Sequence, residues 1–477
     1  MTILATGVMD AVLVQQSWLV LAYFLFVNGF YLVLMTSSAV ELRSQRRRAA
    51  GESDGLILAS DLTPRVSVLV PAYNEAATIQ QSTMALVTLD FPNLEIVVVD
   101  DGSRDVTTSL LVEAFELQPV RPLLDQRLAT AEVETVYRSR RFPNLIVALK
   151  RNGGKADALN TALNLATGDL VCAVDADTII DPDGLTSLVR PFIRNHEVVA
   201  AGATIRVVND CQVRRGRVSE THVPHHALAG FQAVEYLRAF MFGRVGWNRL
   251  GGNLVISGAF GMFRRERLLD AGGYTRTVGE DMELIVRLRR QGYEGGTPAR
   301  IEFVPDPVAW TEAPSSLRVL GRQRDRWHRG LSDVLWRHRH LFGNPRYGSL
   351  GMLAIPVFVT IEWLAPIVEL VGLVSLLIGL PLGVVDTEFA WLFFAVAYGL
   401  GVLCSMFALL LEELSFRRYG TIAEQPRLVL WALLESLGYR QLTVVWRIRG
   451  IVGWLRGRDH WGQMDRRGFR GDQPVAS

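Results

Sequence analysis

The fold is decided by the stretch Leu170-Val-Cys-Ala-Val-Asp-Ala-Asp177, an apolar run that ends in two acidic residues. The run is short and contains β-branched residues, so it predicts a fully buried strand. Asp175 and Asp177 are two residues apart, and such residues point to the same side of an extended chain. Two carboxylates placed this way favour a hard divalent cation that also binds a diphosphate, Mg²⁺ or Mn²⁺. A solvated strand end or an Asx turn is the alternative interpretation.

The composition indicates a membrane protein. The chain of 477 residues is long enough for about two or three domains. Its mean hydropathy is +0.20, and its net charge of +2 conceals arginine clusters at residues 43–48 and from Arg447 onward. Both clusters adjoin apolar segments, whereas a nucleic-acid-binding protein would carry a basic face on a folded domain. The three scattered cysteines indicate neither a disulfide framework nor a metal site.

The N-terminal region predicts one membrane span. The residues from Val14 to Met35 are nearly uncharged and numerous enough to cross a bilayer. The arginines at 43–48 follow this run, whereas a cleavable signal peptide would carry its positive charges before it. The positive-inside rule then places the following chain in the cytoplasm. We predict a transmembrane helix in 1–38, a cytoplasmic linker in 39–63 and a cytoplasmic α/β domain in 64–345.

Strands and helices alternate in the α/β domain. Besides the stretch quoted above, the sequence predicts strands at Val66–Val70, Leu94–Val99, Leu145–Leu149 and Val199–Val207. Uninterrupted apolar strands separated by helices predict a mostly parallel sheet that is covered on both faces. Residues 117–143 have no pattern that predicts an element.

Polar clusters follow three of these strands: Pro71–Glu75, Asp100–Ser103 and Asp175–Asp177. Ligands of parallel α/β sheets bind outside the carboxyl ends of the strands. We therefore expect these clusters to lie along one ligand-binding edge.

Two further segments are candidates for chemistry. Gly279–Glu283 opens a predicted amphipathic helix, where an acid could act as a general base or simply stabilise the helix dipole. Gln323–Gly330 combines arginines with a tryptophan, which suits a phosphate and a sugar ring. The alternative for the second segment is a basic helix that contacts lipid head groups. Leu228–Phe242 predicts an amphipathic helix, either on a membrane surface or packed in the fold.

Residues 346–446 are predicted to hold the remaining membrane helices. An interfacial helix leads into a span at Trp363–Leu382, and Phe389–Leu411 forms another span. Glu369 lies inside the first of these, so it is expected to face a cavity or a partner. Leu428–Val445 carries charges and precedes a basic tail, so we predict an interfacial or re-entrant helix there. The tail, 447–477, is then cytoplasmic, and the chain has three spans.

The motifs of this chain resemble those of the membrane-integrated family 2 glycosyltransferases, which include poly-N-acetylglucosamine, chitooligosaccharide, hyaluronan and cellulose synthases. Four motifs occur in the family's order: Pro71-Ala-Tyr-Asn-Glu75 with Asp100-Asp-Gly-Ser103, Asp175-Ala-Asp177, Gly279-Glu-Asp281, and Gln323-Arg-Asp-Arg-Trp327. Gly153-Gly-Lys-Ala-Asp-Ala-Leu-Asn160 and Ser257-Gly-Ala-Phe260 are most similar to the poly-N-acetylglucosamine type. Gly279 stands where cellulose-type enzymes tend to have threonine, which favours the chitin and hyaluronan branch.

The resemblance implies a GT-A type, Rossmann-like domain joined to transmembrane helices, with a role for each motif residue. Tyr73 and Glu75 would lie by the uracil, and Asp101 would bind the nucleotide. Lys155 would lie near the diphosphate, Asp175 would contact the nucleotide-sugar, and Asp177 would ligate Mg²⁺ or Mn²⁺. Asp281 would be the general base. The diphosphate and the acceptor sugar would be held by Gln323, Arg326 and Trp327.

The implied function is that of an inverting, processive enzyme in the inner membrane. It would polymerise a sugar from a UDP-sugar donor, with UDP-N-acetylglucosamine as the preferred candidate, and would export the growing polysaccharide. A small membrane subunit or a homo-oligomer is one way to complete a pore from three spans. A non-processive transferase that adds one sugar to a lipid or short glycan is the alternative. A scaffold subunit without activity is a further alternative that the acidic motifs disfavour.

Overall fold

The computed structural model describes residues 2–49, 63–121, 126–214, 216–416 and 419–458. An α/β unit lies between one N-terminal helix and a C-terminal helical region. Most of the predicted linker, and the tail from residue 459, lie outside the described residues.

A ten-stranded sheet forms the centre of the α/β unit. Its strands are β1 (Val66–Ala72), β2 (Leu94–Asp100), β3 (Leu117–Val120), β4 (Val133–Ser139), β5 (Leu145–Lys150), β6 (Leu170–Val174), β7 (Ile179–Ile180), β8 (Val198–Val207), β11 (Phe260–Arg264) and β12 (Arg300–Thr311). A separate two-stranded sheet pairs β9 (Gln212–Arg214) with β10 (Arg217–Glu220).

The strand order in the large sheet is β3-β4-β5-β2-β1-β6-β11-β8-β12-β7. The central strands β5, β2, β1 and β6 are parallel neighbours, as are β8 and β12. Against this common direction run β4, β7 and β11. The predicted mostly parallel sheet is therefore confirmed, and the carboxyl ends of β1, β2 and β6 lie side by side.

The segment 117–143, which carried no predictive pattern, contains two strands of the sheet. β4 pairs antiparallel with β5, and β3 pairs with β4 at the sheet edge. Glu134 and Arg138 of β4 are exposed. A strand with one solvated face lacks the continuous apolar run of a central parallel strand, so the sequence did not reveal β4.

Helices cover both faces of the sheet. The helices that precede the C-terminal helical region are, in chain order, α1 (Thr2–Ala49), α2 (Ile79–Val87), α3 (Thr107–Ala114), α4 (Lys155–Leu165), α5 (Gly184–Arg194), α6 (Ala227–Arg238), α7 (Val245–Leu250), α8 (Arg265–Asp270), α9 (Glu280–Glu294) and α10 (Leu317–Arg337). Alternate residues of β1 enter different cores, because side chains alternate across a strand. Val66, Val68 and Val70 join the core that continues into the membrane helices, while Leu69 packs in the core that contains Leu159 of α4.

The helix predicted at Leu228–Phe242 is packed inside the fold. Its first part is α6, whose Leu228, Ala233 and Leu237 are buried. The turns that come next, Ala239–Arg244, are π-helical, a form that is rare and often occurs at functional sites.

Three helical segments among the described residues are long and apolar enough to cross a membrane: Gln15–Arg47, Leu350–Gly379 and Thr387–Ser415. A bent pair, Ile422–Leu434 and Tyr439–Leu455, meets at 55° and forms either a broken span or a re-entrant loop. The helices of this region are α11 (Ala365–Gly379), α12 (Thr387–Phe394), α13 (Leu400–Ser415), α14 (Gln425–Leu434) and α15 (Tyr439–Leu455).

Some boundaries differ from the predictions. α1 continues to Ala49, so 39–49 are helical rather than part of a linker, and α15 continues past 446 to Leu455. Arginine, alanine and leucine have high helix propensity, so each of these helices can continue beyond its apolar part. The expected interfacial helix and span form one helical segment, Leu350–Gly379. π-Helical turns occur on both sides of Pro356, where they accommodate the missing amide donor.

Candidate active site

A cavity of about 680 Å³ opens between the sheet, α9, α10 and the segment Leu350–Gly379. Its lining includes seven of the predicted site residues, which are Lys155, Asp175, Asp177, Asp281, Gln323, Arg326 and Trp327. These residues come from four separate motifs, and the fold brings them to one place. A mixture of acids, cations and an aromatic ring in a concave site suits a polar, charged ligand.

Lys155 forms the centre of the polar end of the cavity. It begins α4 directly after Gly154, whose φ of 91° is in the region that favours glycine. Its Nζ lies 2.7 Å from Asp175 Oδ1 and 3.4 Å from Glu280 Oε1. Burial alone would lower the pKa of Lys155, but the charges of Asp175 and Glu280 raise it above its usual value. The lysine therefore remains a cation at neutral pH.

Asp175 and Asp177 come directly after β6 and both line the cavity, as the opening stretch predicts. Within the described ranges, no group of three or more His, Cys, Asp or Glu side chains is arranged to hold a metal ion. A cation here would therefore use the two carboxylates and complete its coordination with ligand oxygens. This sparse carboxylate set fits Mg²⁺ or Mn²⁺ held jointly by protein and phosphates.

Asp281 lies in the first turn of α9, at the edge of the cavity nearest α10. Its Oδ1 accepts a 2.8 Å hydrogen bond from the Met282 amide. The turn before it contacts α10 through two glycines, since a Cβ on Gly330 would lie 2.9 Å from Gly279 Cα. This close backbone approach joins the Gly279–Asp281 motif to the Gln323–Trp327 motif.

The Gln323–Trp327 motif lies on α10 and turns several side chains toward the cavity. Trp327 is 44% exposed and lines the cavity, so part of its ring is accessible to a ligand. The Gln323 Oε1 atom is buried and has no hydrogen-bond partner among the residues that the structure describes. A buried polar atom without a hydrogen-bond partner destabilises the folded protein unless a ligand supplies that partner.

Tyr73, Glu75 and Asp101 are not among the lining residues of this cavity. They come after β1 and β2. In the sheet, β1 lies next to β6 and β2 lies next to β1. Tyr73 is 42% exposed, and the Glu75 carboxylate accepts a 3.1 Å hydrogen bond from the Thr78 hydroxyl. Their contacts with a nucleotide stay predictions.

Asp101 is buried and its carboxylate is already engaged. It accepts hydrogen bonds from the Gly153 and Gly154 amides at 2.9 and 2.7 Å, and Lys150 Nζ lies 2.6 Å away. The same Lys150 also pairs with Asp157 of α4 at 2.7 Å. In this structure Asp101 therefore fixes the glycine turn that presents Lys155 to the cavity.

Sequence reasoning assigned no role to several charged residues that line the cavity, including Glu235, Arg244 and Glu362. Arg244 lies in the π-helical turns, with its guanidinium 4.5 Å from the centroid of the Phe240 ring. Its Nη1 is buried and has no hydrogen-bond partner in the described part of the chain. Among these residues, the one that the sequence could have indicated is Glu362, because it is an acid inside an apolar segment.

The domain that holds this cavity matches two families of glycosyltransferases. Residues 67–270 match the family described as Glycosyl transferase family 2, and residues 170–404 match Glycosyl transferase family group 2. The chain therefore carries a family 2 glycosyltransferase domain, as the motif resemblance implies.

Curated relatives of the chain are synthases of an amino-sugar polymer. It is 26% identical over 299 residues to a poly-β-1,6-N-acetyl-D-glucosamine synthase of Staphylococcus epidermidis, and 25% identical over 299 residues to that of Staphylococcus aureus strain COL. Each alignment covers 62% of this chain and 62% of the relative. A mannosyltransferase from Pyrobaculum calidifontis, solved with GDP-Man and Mn²⁺, superposes with a TM-score of 0.52 at 19% identity, over 91% of this chain and all of that one. This likeness establishes the GT-A fold.

Proposed function

We propose that this protein is an inverting, processive glycosyltransferase that polymerises a sugar from a UDP-sugar donor into a polysaccharide. The observation that carries the proposal is the single cavity in which Lys155, Asp175 and Asp177 meet Asp281 and Trp327. Such a cavity can hold a donor diphosphate, a base and an acceptor ring together. The similarity to poly-N-acetylglucosamine synthases supports UDP-N-acetylglucosamine as the donor.

The polar end of the cavity would bind the donor. Lys155 would approach the diphosphate, Asp175 would contact the nucleotide-sugar, and Tyr73, Glu75 and Asp101 would serve the nucleoside side. Asp177 would hold Mg²⁺ or Mn²⁺, which when bound neutralises phosphate charge. Arg326 supplies a guanidinium for the departing UDP.

The opposite side of the cavity would bind the acceptor. The exposed ring of Trp327 offers a flat apolar surface to a sugar, and Gln323 offers an unsatisfied amide oxygen to a hydroxyl. Asp281 takes the proton from the acceptor hydroxyl, whose oxygen then bonds to C1 of the donor as the C1–O bond to UDP breaks. Positioning and charge stabilisation contribute most of the rate in such a site.

The decisive experiment compares Asp281→Asn with the wild type. We expect transfer to fall by about 10²–10⁴-fold, the usual effect of removing a general base, while UDP affinity stays unchanged. Purified protein is assayed for UDP release against several UDP-sugars, and UDP binding is measured by calorimetry. Near-normal turnover in the variant would exclude Asp281 as the base.

The metal assignment predicts a different effect for Asp177→Asn. We expect UDP binding by this variant to need a higher Mn²⁺ concentration, because the carboxylate that is assigned to the metal is lost. Calorimetric titration of UDP at a series of Mn²⁺ concentrations measures this without relying on turnover. Identical metal dependence in the variant and the wild type would contradict the assignment.

Product sizing separates the proposal from its alternative. A processive enzyme makes long chains, whereas a transferase that decorates a lipid or short glycan adds one sugar.

The cavity's extension to Phe358 and Glu362 of a candidate span favours a polymer that leaves through the membrane region. We propose that the catalytic side is cytoplasmic in the inner membrane and that a small subunit or a second copy helps to complete the path. Polymer recovered inside vesicles that contain this chain alone would show that no other subunit is needed.

A further inference from the structure

Trp327 has a cation on its ring. The guanidinium carbon of Arg324 lies 4.3 Å from the centroid of the Trp327 ring, within the range of a cation–π contact. Trp327 lines the cavity and Arg324, three residues earlier on α10, is buried. An exposed ring on a helix can change its rotamer, and a stacked guanidinium restricts it to one orientation.

Arg324 is in turn held by two residues from other helices. Its Nη2 lies 2.8 Å from Glu235 Oε2 and 3.4 Å from the Tyr439 hydroxyl oxygen. The Tyr439 hydroxyl donates a 2.7 Å hydrogen bond to the same Glu235 oxygen. The three side chains form a closed triangle, so Arg324 has little freedom to leave the Trp327 ring.

This triangle lies at the bend between the last two helices. Tyr439 is the first residue of α15, directly after Gly438, whose φ is 82°. On the other side of the bend, Glu435 accepts hydrogen bonds from Arg238 at 2.6 and 2.8 Å. Both Glu235 and Arg238 belong to α6, so one helix holds both arms of the bend.

We propose that Glu235, Arg324 and Tyr439 are positioning residues that fix the Trp327 ring for the acceptor sugar and connect it to the helix bend at Gly438. The inference rests on the proposed function, because it takes Trp327 as the acceptor surface. It concerns the acceptor side alone, since Lys155, Asp175 and Asp177 are not part of the triangle. Loss of any member releases the ring and weakens the hold on the acceptor.

The test uses Glu235→Gln and Tyr439→Phe, which keep side-chain size, beside Arg324→Lys, which keeps charge but not the planar stack. We expect the KM for an oligosaccharide acceptor to rise by about 3- to 30-fold, which is the effect of losing a partly buried cation–π contact. The affinity for UDP should stay within about twofold of the wild-type value. The matched control is Arg339→Met. Arg339 lies 4.7 Å from the ring centroid of exposed Trp336, outside the cavity, so its loss should leave both constants unchanged.

A double-mutant cycle with Trp327→Ala shows whether the residues act through the ring. In the Trp327→Ala background, Glu235→Gln should add little to the acceptor KM, because the ring that it positions is gone. Full additivity of the two substitutions would overturn the proposal. Wild-type protein that transfers no sugar would instead refute the proposed function.

Fluorine NMR gives a readout that does not depend on turnover. In protein labelled with 5-fluorotryptophan, Trp327→Phe assigns the Trp327 resonance. Glu235→Gln and Tyr439→Phe should shift or broaden that resonance and leave the Trp336 resonance in place, while Arg339→Met should do the opposite. An unchanged Trp327 resonance in Glu235→Gln and Tyr439→Phe would show that the triangle does not set the ring.

Discussion

Single polar residues in and beside the cavity differ in how completely the protein itself satisfies their hydrogen bonds and charges. Lys155 and Asp175 satisfy each other, and Asp101 is saturated by two amides and Lys150. The guanidinium of Arg244, by contrast, has a buried nitrogen without a hydrogen-bond partner in the described ranges. An anion that enters the cavity can accept a hydrogen bond from this nitrogen, and a buried donor without a partner is costly.

Arg244→Gln is therefore expected to lower kcat by about 10²-fold, the scale seen when one preorganised donor to developing charge is removed. Arg244→Lys should retain more activity, since it keeps the charge. Steady-state kinetics of both variants at saturating donor make the comparison. Equal activity of Arg244→Gln and the wild type would show that the cation does not act on the reaction.

Among the elements, the contact between the start of α9 and the middle of α10 brings the base motif to the acceptor motif. Gly279 and Gly330 touch through their backbones. A Cβ on Gly330 would lie 2.9 Å from Gly279 Cα and would force the two helices apart, while a Cβ on Gly279 would lie 3.1 Å from Gly330 and would need a small shift. This contact gives a physical reason for glycine rather than threonine at position 279.

Gly330→Val should consequently reduce transfer by about 10²-fold through misplacement of Asp281 relative to the acceptor, while UDP binding is retained. Gly29→Val in α1 is the matched control, because no atom lies within 4 Å of a Cβ at that position. Activity and UDP affinity are measured for both variants. A fully active Gly330→Val would mean that the helix contact does not set the geometry of the base.

At the scale of the whole molecule, the α/β unit and the membrane helices are joined by buried polar residues. Arg206 of β8 pairs with Glu412 of α13, and His328 of α10 lies against Arg447 of α15, whose Nε is 3.4 Å from His328 Nδ1. Burial, with a smaller contribution from Arg447, lowers the pKa of His328 to about 3. The histidine is therefore neutral in the folded protein throughout the physiological range.

This burial predicts the sign of a pH effect on stability. Between pH 6.5 and 3 the unfolded chain binds a proton at His328 that the folded chain does not, so the free energy of unfolding falls as pH falls, by up to about 1.4 kcal/mol per pH unit. His328→Gln should flatten the dependence of Tm on pH below about pH 6.5 in detergent. A variant with the wild-type slope would exclude His328 as the source.

The sequence alone determined the central strands, the three apolar spans and the edge where acids gather, because these depend on local apolar runs and on the polar residues directly after each strand. Through the motifs that it shares with the family 2 glycosyltransferases, the sequence also identified seven residues that line one cavity. Tertiary structure alone decided that the edge strands in 117–143 join the sheet, that Asp101 is saturated by a glycine turn, and that Arg244 and Glu235 enter the site. Those outcomes depend on contacts between residues far apart in the chain, such as Glu235 with Tyr439, which no local pattern records.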